Sequence, residues 1–185
     1  MTPSTTLSTA ELRRPLVAAA ALSEFAREGF HGTTIADVAR EAHISPAYVF
    51  KLFPGKEALF VAALEACFDE VIAALSRGAD AAPNQTPVGV LDGMAGAYAQ
   101  LIGDRRLLSI QVHAQSITHI PEVGAGLRAG LARVTSFAKD RSNGSDADVQ
   151  RFMAYGQLCH LIVTAGVEGE TRPWAGILTH GIRHP

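Results

Sequence analysis

The sequence predicts an all-α protein, and three observations predict it. Apolar residues recur every three to four positions from Val17 almost to the C-terminus, the period of one helix face. Breaks between these stretches carry helix-start chemistry, a Ser, Thr, Asp or Gly followed by Pro or by an acid. No strand-like alternation or hairpin signal interrupts them, and the Asn143-Gly144 pair, lying between helical patterns, suits a helix–helix turn. With 48% hydrophobic and 18% charged residues in 185, the chain has enough to bury for one substantial core or two small ones, and disorder is excluded.

Residues 1–8 are polar and rich in Thr and Ser, and read as a loose tail. Ser8 with Glu11 could cap a turn, but Pro15 would then lie inside the helix. The first helix is therefore placed at 14–28, with Pro15 in its first turn and Gly29 as its stop. Thr34 followed by Asp37 has capping-box spacing, and Ile35, Val38, Ala39 and Ala42 give the helix it starts a single apolar stripe about two turns long. His43-Ile44-Ser45 breaks that pattern. Ser45 is an N-cap and Pro46 a first helical residue, so another short helix runs to about Phe53, with Val49, Phe50 and Phe53 facing inward and Pro46, Tyr48 and Lys51 pointing out.

Gly55 caps a long helix reaching about Arg77, with Leu59, Ala63, Ala66, Cys67, Val71 and Ala74 on one stripe. Residues 78–86, GADAAPNQT, are small and contain Pro, which predicts a loop and a boundary. Thr86-Pro87 then opens a helix to about Ile102, and Asp104 opens one through Ile117. Pro121 opens a third to about Lys139, Ser145 or Asp146 a long one to about Val167, and Pro173 the last.

Two short helices joined by a tight turn form a helix-turn-helix, and an aromatic and a lysine pointing out near the start of the second suit a helix that enters a groove and meets phosphates. The net charge of −2 does not advertise such a partner. Residues 1–60 balance to zero, six Arg and Lys against six Asp and Glu, and within 43–56 the charged residues are Lys51 and Lys56 alone. Non-specific affinity should be modest, and specific binding should need two half-sites.

The run from Val17 to Phe60 resembles the N-terminal DNA-binding domain of the tetracycline-repressor (TetR) family of bacterial transcription regulators. Matching features are Ala20-Ala21, Phe25 four before Gly29, Thr33-Thr34, Asp37 to Ala39, Ser45, Phe50, Phe53, and Lys56 before Leu59-Phe60. The chain departs from the family where Ala47-Tyr48 replaces a usual glycine-threonine, Phe50 a tyrosine, and Leu52 a histidine. The last two changes remove two groups that could hold phosphates, and Tyr48 and Lys51 could take over part of that work. The resemblance implies a helix-turn-helix domain at 9–55 with its recognition helix near 46–53. Beyond it would come a regulatory and dimerisation domain at 56–185, with 56–77 connecting. It implies DNA contacts from Thr33, Thr34, Ser45, Pro46, Ala47, Tyr48, Phe50, Lys51 and Lys56. It also implies a homodimer, an operator repeated in two half-sites, release by a small molecule, and a cytoplasmic location. Its last two helices form the dimer interface in the family, which assigns Val149, Phe152, Cys159, Ile162, Trp174, Ile177 and Leu178 to that role.

Polar groups scattered among apolar helical positions are what orient a ligand in an apolar pocket. Tyr98, Gln111, Gln115, His119, Gln157 and His160 form such a set in the second half, and Met153 is a further candidate for ligand contact. Cys67 and Cys159 lie far apart in apolar patterns with no Cys-x-x-Cys, as expected of reduced, packed thiols. Seven histidines raise the rival of a helical metal-binding protein or enzyme. However, Glu28 and His31 straddle Gly29, His180 and His184 sit at the chain end, and no GxSxG, HExxH or P-loop sequence occurs. No metal, cofactor or catalysis is expected. A second rival is a partner-binding relative that has lost operator recognition, motivated by Phe50 and Leu52. The polar N-terminus does not read as a signal peptide, and no apolar run reaches the ~20 residues of a membrane span.

Overall fold

A computed structural model of the chain describes residues 9–182. The 1–8 segment, with its expected loose tail and Ser8 cap, and His184 lie outside them. Among the described residues all regular structure is helical: α1 (Thr9–Gly32), α2 (Ile35–Glu41), α3 (Pro46–Leu52), α4 (Lys56–Asp80), α5 (Pro87–Leu101), α6 (Arg105–Ser116), α7 (Pro121–Ser142), α8 (Asp146–Thr164) and α9 (Pro173–Thr179). By packing, the described residues up to Cys67 together with Ile110–Leu127 form one compact unit. The other holds Phe68–Ser109 and the described residues from Arg128 onward.

The helix starts follow local chemistry. Thr34 and Asp37 close a reciprocal capping box on α2, Ser45 caps α3 ahead of Pro46, Thr86 caps α5 ahead of Pro87, and Ser145 with Asp148 closes a second box on α8. Gly55, at φ 120, leads into α4 through a backbone angle that a side chain would strain.

Three boundaries differ from the sequence reading. α1 begins at Thr9, with Pro15 inside. The proline takes one rung out of the hydrogen-bond ladder, but residues 11–16 are all exposed, so water can hydrate the gap. Gly29 does break this helix, at φ 70, and residues 30–32 are a further short turn. α4 runs on through Gly78 and Ala79 to Asp80. Gly78 and Ala79 are buried, and a Cβ on Gly78 would overlap the carbonyl oxygen of Gly93 in α5. The small residue permits a close helix crossing there, and the loop expected at 78–86 is shortened to 81–86 and lies within the second unit. α8 ends at Thr164, before Val167, because Gly166 turns left-handed at φ 68 into a short 3-10 turn, Val167–Gly169.

The first unit packs Val17, Ala21, Leu22 and Phe25 of α1 against Val38 and Ala39 of α2, Val49 and Leu52 of α3, and Leu59 and Phe60 of α4, all buried. Phe25, Phe30 and Phe60 form its aromatic centre, with ring centroids 4.9 to 6.3 Å apart. In the second unit Ile102, Leu108, Cys159 and Val163 make one cluster and Ile162, Val167 and Ala175 another.

Candidate nucleic-acid interface

A helix of seven residues cannot hold itself in water, so α3 is fixed by what it touches. Val49, Leu52 and Phe53 are buried. The Arg14 side chain donates to the Leu52 carbonyl and lies 4.5 Å over the Phe53 ring, tying α1 to the end of α3. The turn that sets α2 against α3 is tightened by the Ile44 amide donating to Ala39 O at 2.9 Å, with His43 held left-handed at φ 53.

The opposite side of α3 faces water. Pro46, Ala47, Phe50 and Lys51 are exposed and Tyr48 is half-buried. This corrects the sequence reading at two positions: Phe50 faces out, 57% exposed, and Leu52 takes the inward place given to Phe50. Leu52, 3% exposed, supplies core rather than surface.

Three further expected contacts already carry hydrogen bonds within the chain. Thr33 is fully buried, its hydroxyl donating to the carbonyls of Gly29 at 2.9 Å and Glu24 at 3.2 Å. It locks the α1–α2 corner and has no surface to offer a duplex. Thr34 is exposed, but its hydroxyl accepts from the Asp37 amide at 3.2 Å and donates to the Asp37 carboxylate at 2.6 Å. The Thr34 hydroxyl and amide, with Arg40 after them, hold the Asp37 carboxyl down at about 2. The Ser45 hydroxyl accepts from the Tyr48 amide at 3.2 Å. Lys56, half-buried at the head of α4, holds its ammonium 4.7 Å over the Phe30 ring, and partial burial pushes its pKa down.

A family profile described as "Bacterial regulatory proteins, tetR family" matches residues 17–63, the stretch that builds this corner. The HTH-type transcriptional regulator RutR of Escherichia coli K12 is 36% identical over 63 residues, which span 34% of this chain and 30% of RutR. Over this N-terminal stretch the chain is similar to tetR-family regulators, and it spans about a third of the length of the curated relatives it matches. Solved TetR-family structures extend the likeness in fold beyond that stretch. A regulator from Agrobacterium tumefaciens matches at TM-score 0.68 and 14% identity over 92% of this chain and 94% of its own. A TetR-like regulator from Rhodococcus sp. RHA1 matches at 0.64 and 20% over 94% of each. The multidrug binding protein EbrR, solved with imidazole, matches at 0.67 and 18% over 100% of this chain and 99% of its own.

Outside that corner, the expected ligand residues divide between the units. Gln111 and Gln115 belong to the first, with Gln111 buried and donating to Cys67 Sγ at 3.6 Å and Gln115 exposed. In the second, the Tyr98 hydroxyl pairs with His160 Nε2, the rings 6.0 Å apart. His160 is 4% exposed, burial lowers its pKa to about 4, and its Nδ1 is the one buried side-chain polar atom without a partner among the described residues. Met153 is half-buried and Gln157 exposed on the same helix.

The assigned dimer residues divide as well. Val149, Cys159 and Ile162 are buried within the chain and are not available to a partner, and Leu178 packs on the Ile162 cluster. Phe152 is half-buried, while Trp174 and Ile177 are 44% and 77% exposed. Tyr155 and Leu161 of α8, both 53% exposed, were missed. They fall six apart, about 120° around the helix from each other, and each lies outside the buried stripe of Val149, Cys159, Ile162 and Val163. Among the described residues no group of three His, Cys, Asp or Glu could hold a metal, and no helix is long and apolar enough to cross a membrane.

Proposed function

We propose that this protein is a DNA-binding transcriptional regulator of the repressor type. It would bind as a homodimer to a pseudopalindromic operator and be released by a small molecule held in its C-terminal part. The observation that carries the reading is the outward face of α3, where Ala47, Phe50 and Lys51 stand clear on a helix whose other side is locked into the core. Residues 9–55 are the reader, 56–77 the connecting helix and 56–185 the regulatory part. Tyr155, Leu161, Trp174 and Ile177 supply an apolar surface for a second copy. Tyr98 and His160 are the polar groups offered to an effector, which favours release by binding better to a dimer whose reading helices are wrongly spaced. About 100-fold easier release needs only ~2.7 kcal/mol of such coupling. The protein acts in the cytoplasm, on the nucleoid when bound, and carries out no catalysis.

Selection of bound fragments from genomic DNA by the purified chain tests this directly. A recovered motif with two inverted half-sites about one helical turn apart is expected, and retention of no fragment above background overturns the reading. On that motif Lys51→Ala should lower the salt slope of binding by ~0.9 per subunit, for one phosphate contact each, measured as log Kd against log salt.

A further inference from the structure

Phe50 leaves more than half of its surface in water in the folded chain. Its phenyl ring lies 57% exposed in the middle of α3, whereas Phe25, Phe30, Phe53 and Phe60 of the same unit are all buried. Its neighbours on the outward face are Ala47, one turn back, and Lys51. Alanine leaves room for close approach, and the lysine can engage a phosphate beside the ring. The ring has no donor or acceptor, so it cannot pair with the polar atoms of base edges. In the major groove the one apolar group on a base edge is the C5-methyl of thymine.

We propose that Phe50 reads a thymine methyl group in each operator half-site, by apolar contact in the major groove. The inference rests on the regulator reading above and names the base chemistry that the reading helix selects. Adenine–thymine pairs oriented to put the methyl under the ring are preferred at that position, and the hydroxyl-free side chain makes the preference independent of hydrogen bonding. Loss of one buried methyl in each half-site weakens binding about fourfold per half-site, equivalent to ~0.8 kcal/mol.

The test uses the motif recovered by fragment selection, with each thymine replaced in turn, symmetrically in both half-sites, by deoxyuridine, which deletes the methyl alone. Affinities for the full-length wild type, Phe50→Ala and Phe50→Leu are measured at one salt concentration. One symmetric position is expected to weaken wild-type binding about 15-fold for the pair of half-sites. Phe50→Ala should bind methyl and demethylated operators alike at that position, and Phe50→Leu should keep part of the difference. Because the ring is exposed, all three proteins should show the same thermal midpoint. A methyl dependence that persists in Phe50→Ala, or wild-type binding indifferent to every thymine methyl, overturns the assignment and leaves the regulator reading standing. No DNA retained by the wild type overturns both.

Discussion

The α1–α3 corner and the α8–α9 region are both built from helices alone, yet they finish their cores differently. In the corner, Phe25, Phe30 and Phe60 close around one another, Thr33 spends its hydroxyl on two carbonyls, and a capping box fixes α2, so the large apolar side chains of α1 to α3 are consumed apart from Leu12 and Leu16 near the start of α1 and Phe50 on α3. In α8 and α9 the inward side is equally full, with Ile162 and Ala175 at 0% and 1% exposure, but Tyr155, Leu161, Trp174 and Ile177 remain in water. A closed core leaves a corner that presents a few side chains, those proposed above to meet DNA. A helix pair left apolar on its outer side has surface to give to the second copy proposed above.

The largest break in this contrast should come from Phe25→Ala. Removing a fully buried ring that touches two others should cost about 3–5 kcal/mol in urea unfolding and abolish DNA binding with it.

Acid should act next, and on the second unit. The His160 pKa lies at about 4 against an ordinary 6.5, because burial disfavours the imidazolium. Between those values the unfolded chain binds a proton that the folded chain refuses, so stability falls as pH drops from 6.5 toward 4, by something on the order of 3 kcal/mol. Denaturant melts across that window should show the slope in the wild type and lose that part of it in His160→Gln.

Ile177→Asp puts a charge on the most exposed of the uncovered apolar residues. Sedimentation should show dimer dissociation strengthened at least tenfold, about 1.4 kcal/mol, with the thermal midpoint of the dilute monomer unchanged. A fall in monomer stability would instead mean that this face is finished within the chain. The smallest effect belongs to the corner: Thr34→Ala should cost about 1 kcal/mol, and NMR titration should find the Asp37 carboxyl moved from about 2 toward its ordinary 3.8.

What was legible followed the range of the interaction. Helix starts at Thr34, Ser45, Thr86 and Ser145 were readable because a cap spans three residues, all visible in the sequence. The inward side of α3 was not. On seven residues Phe50 and Leu52 are both apolar, and spacing allows either to be buried; the choice is made by α1, through Arg14 on the Leu52 carbonyl and the Phe53 ring. Gly78 was misread for a related reason, since the same smallness that suits a loop also lets α4 approach the Gly93 carbonyl.

By itself the sequence determined the all-helical class, the succession of helices and the corner at 33–56, because periodicity and capping are set by residues a few positions apart. Only tertiary structure decided that Phe50 stands in water, that Thr33 is locked away, that His160 is buried against Tyr98, and that Tyr155 and Leu161 stay uncovered while Cys159 does not. Each of those depends on which distant helix arrives to take up one side of a surface that is apolar on more than one.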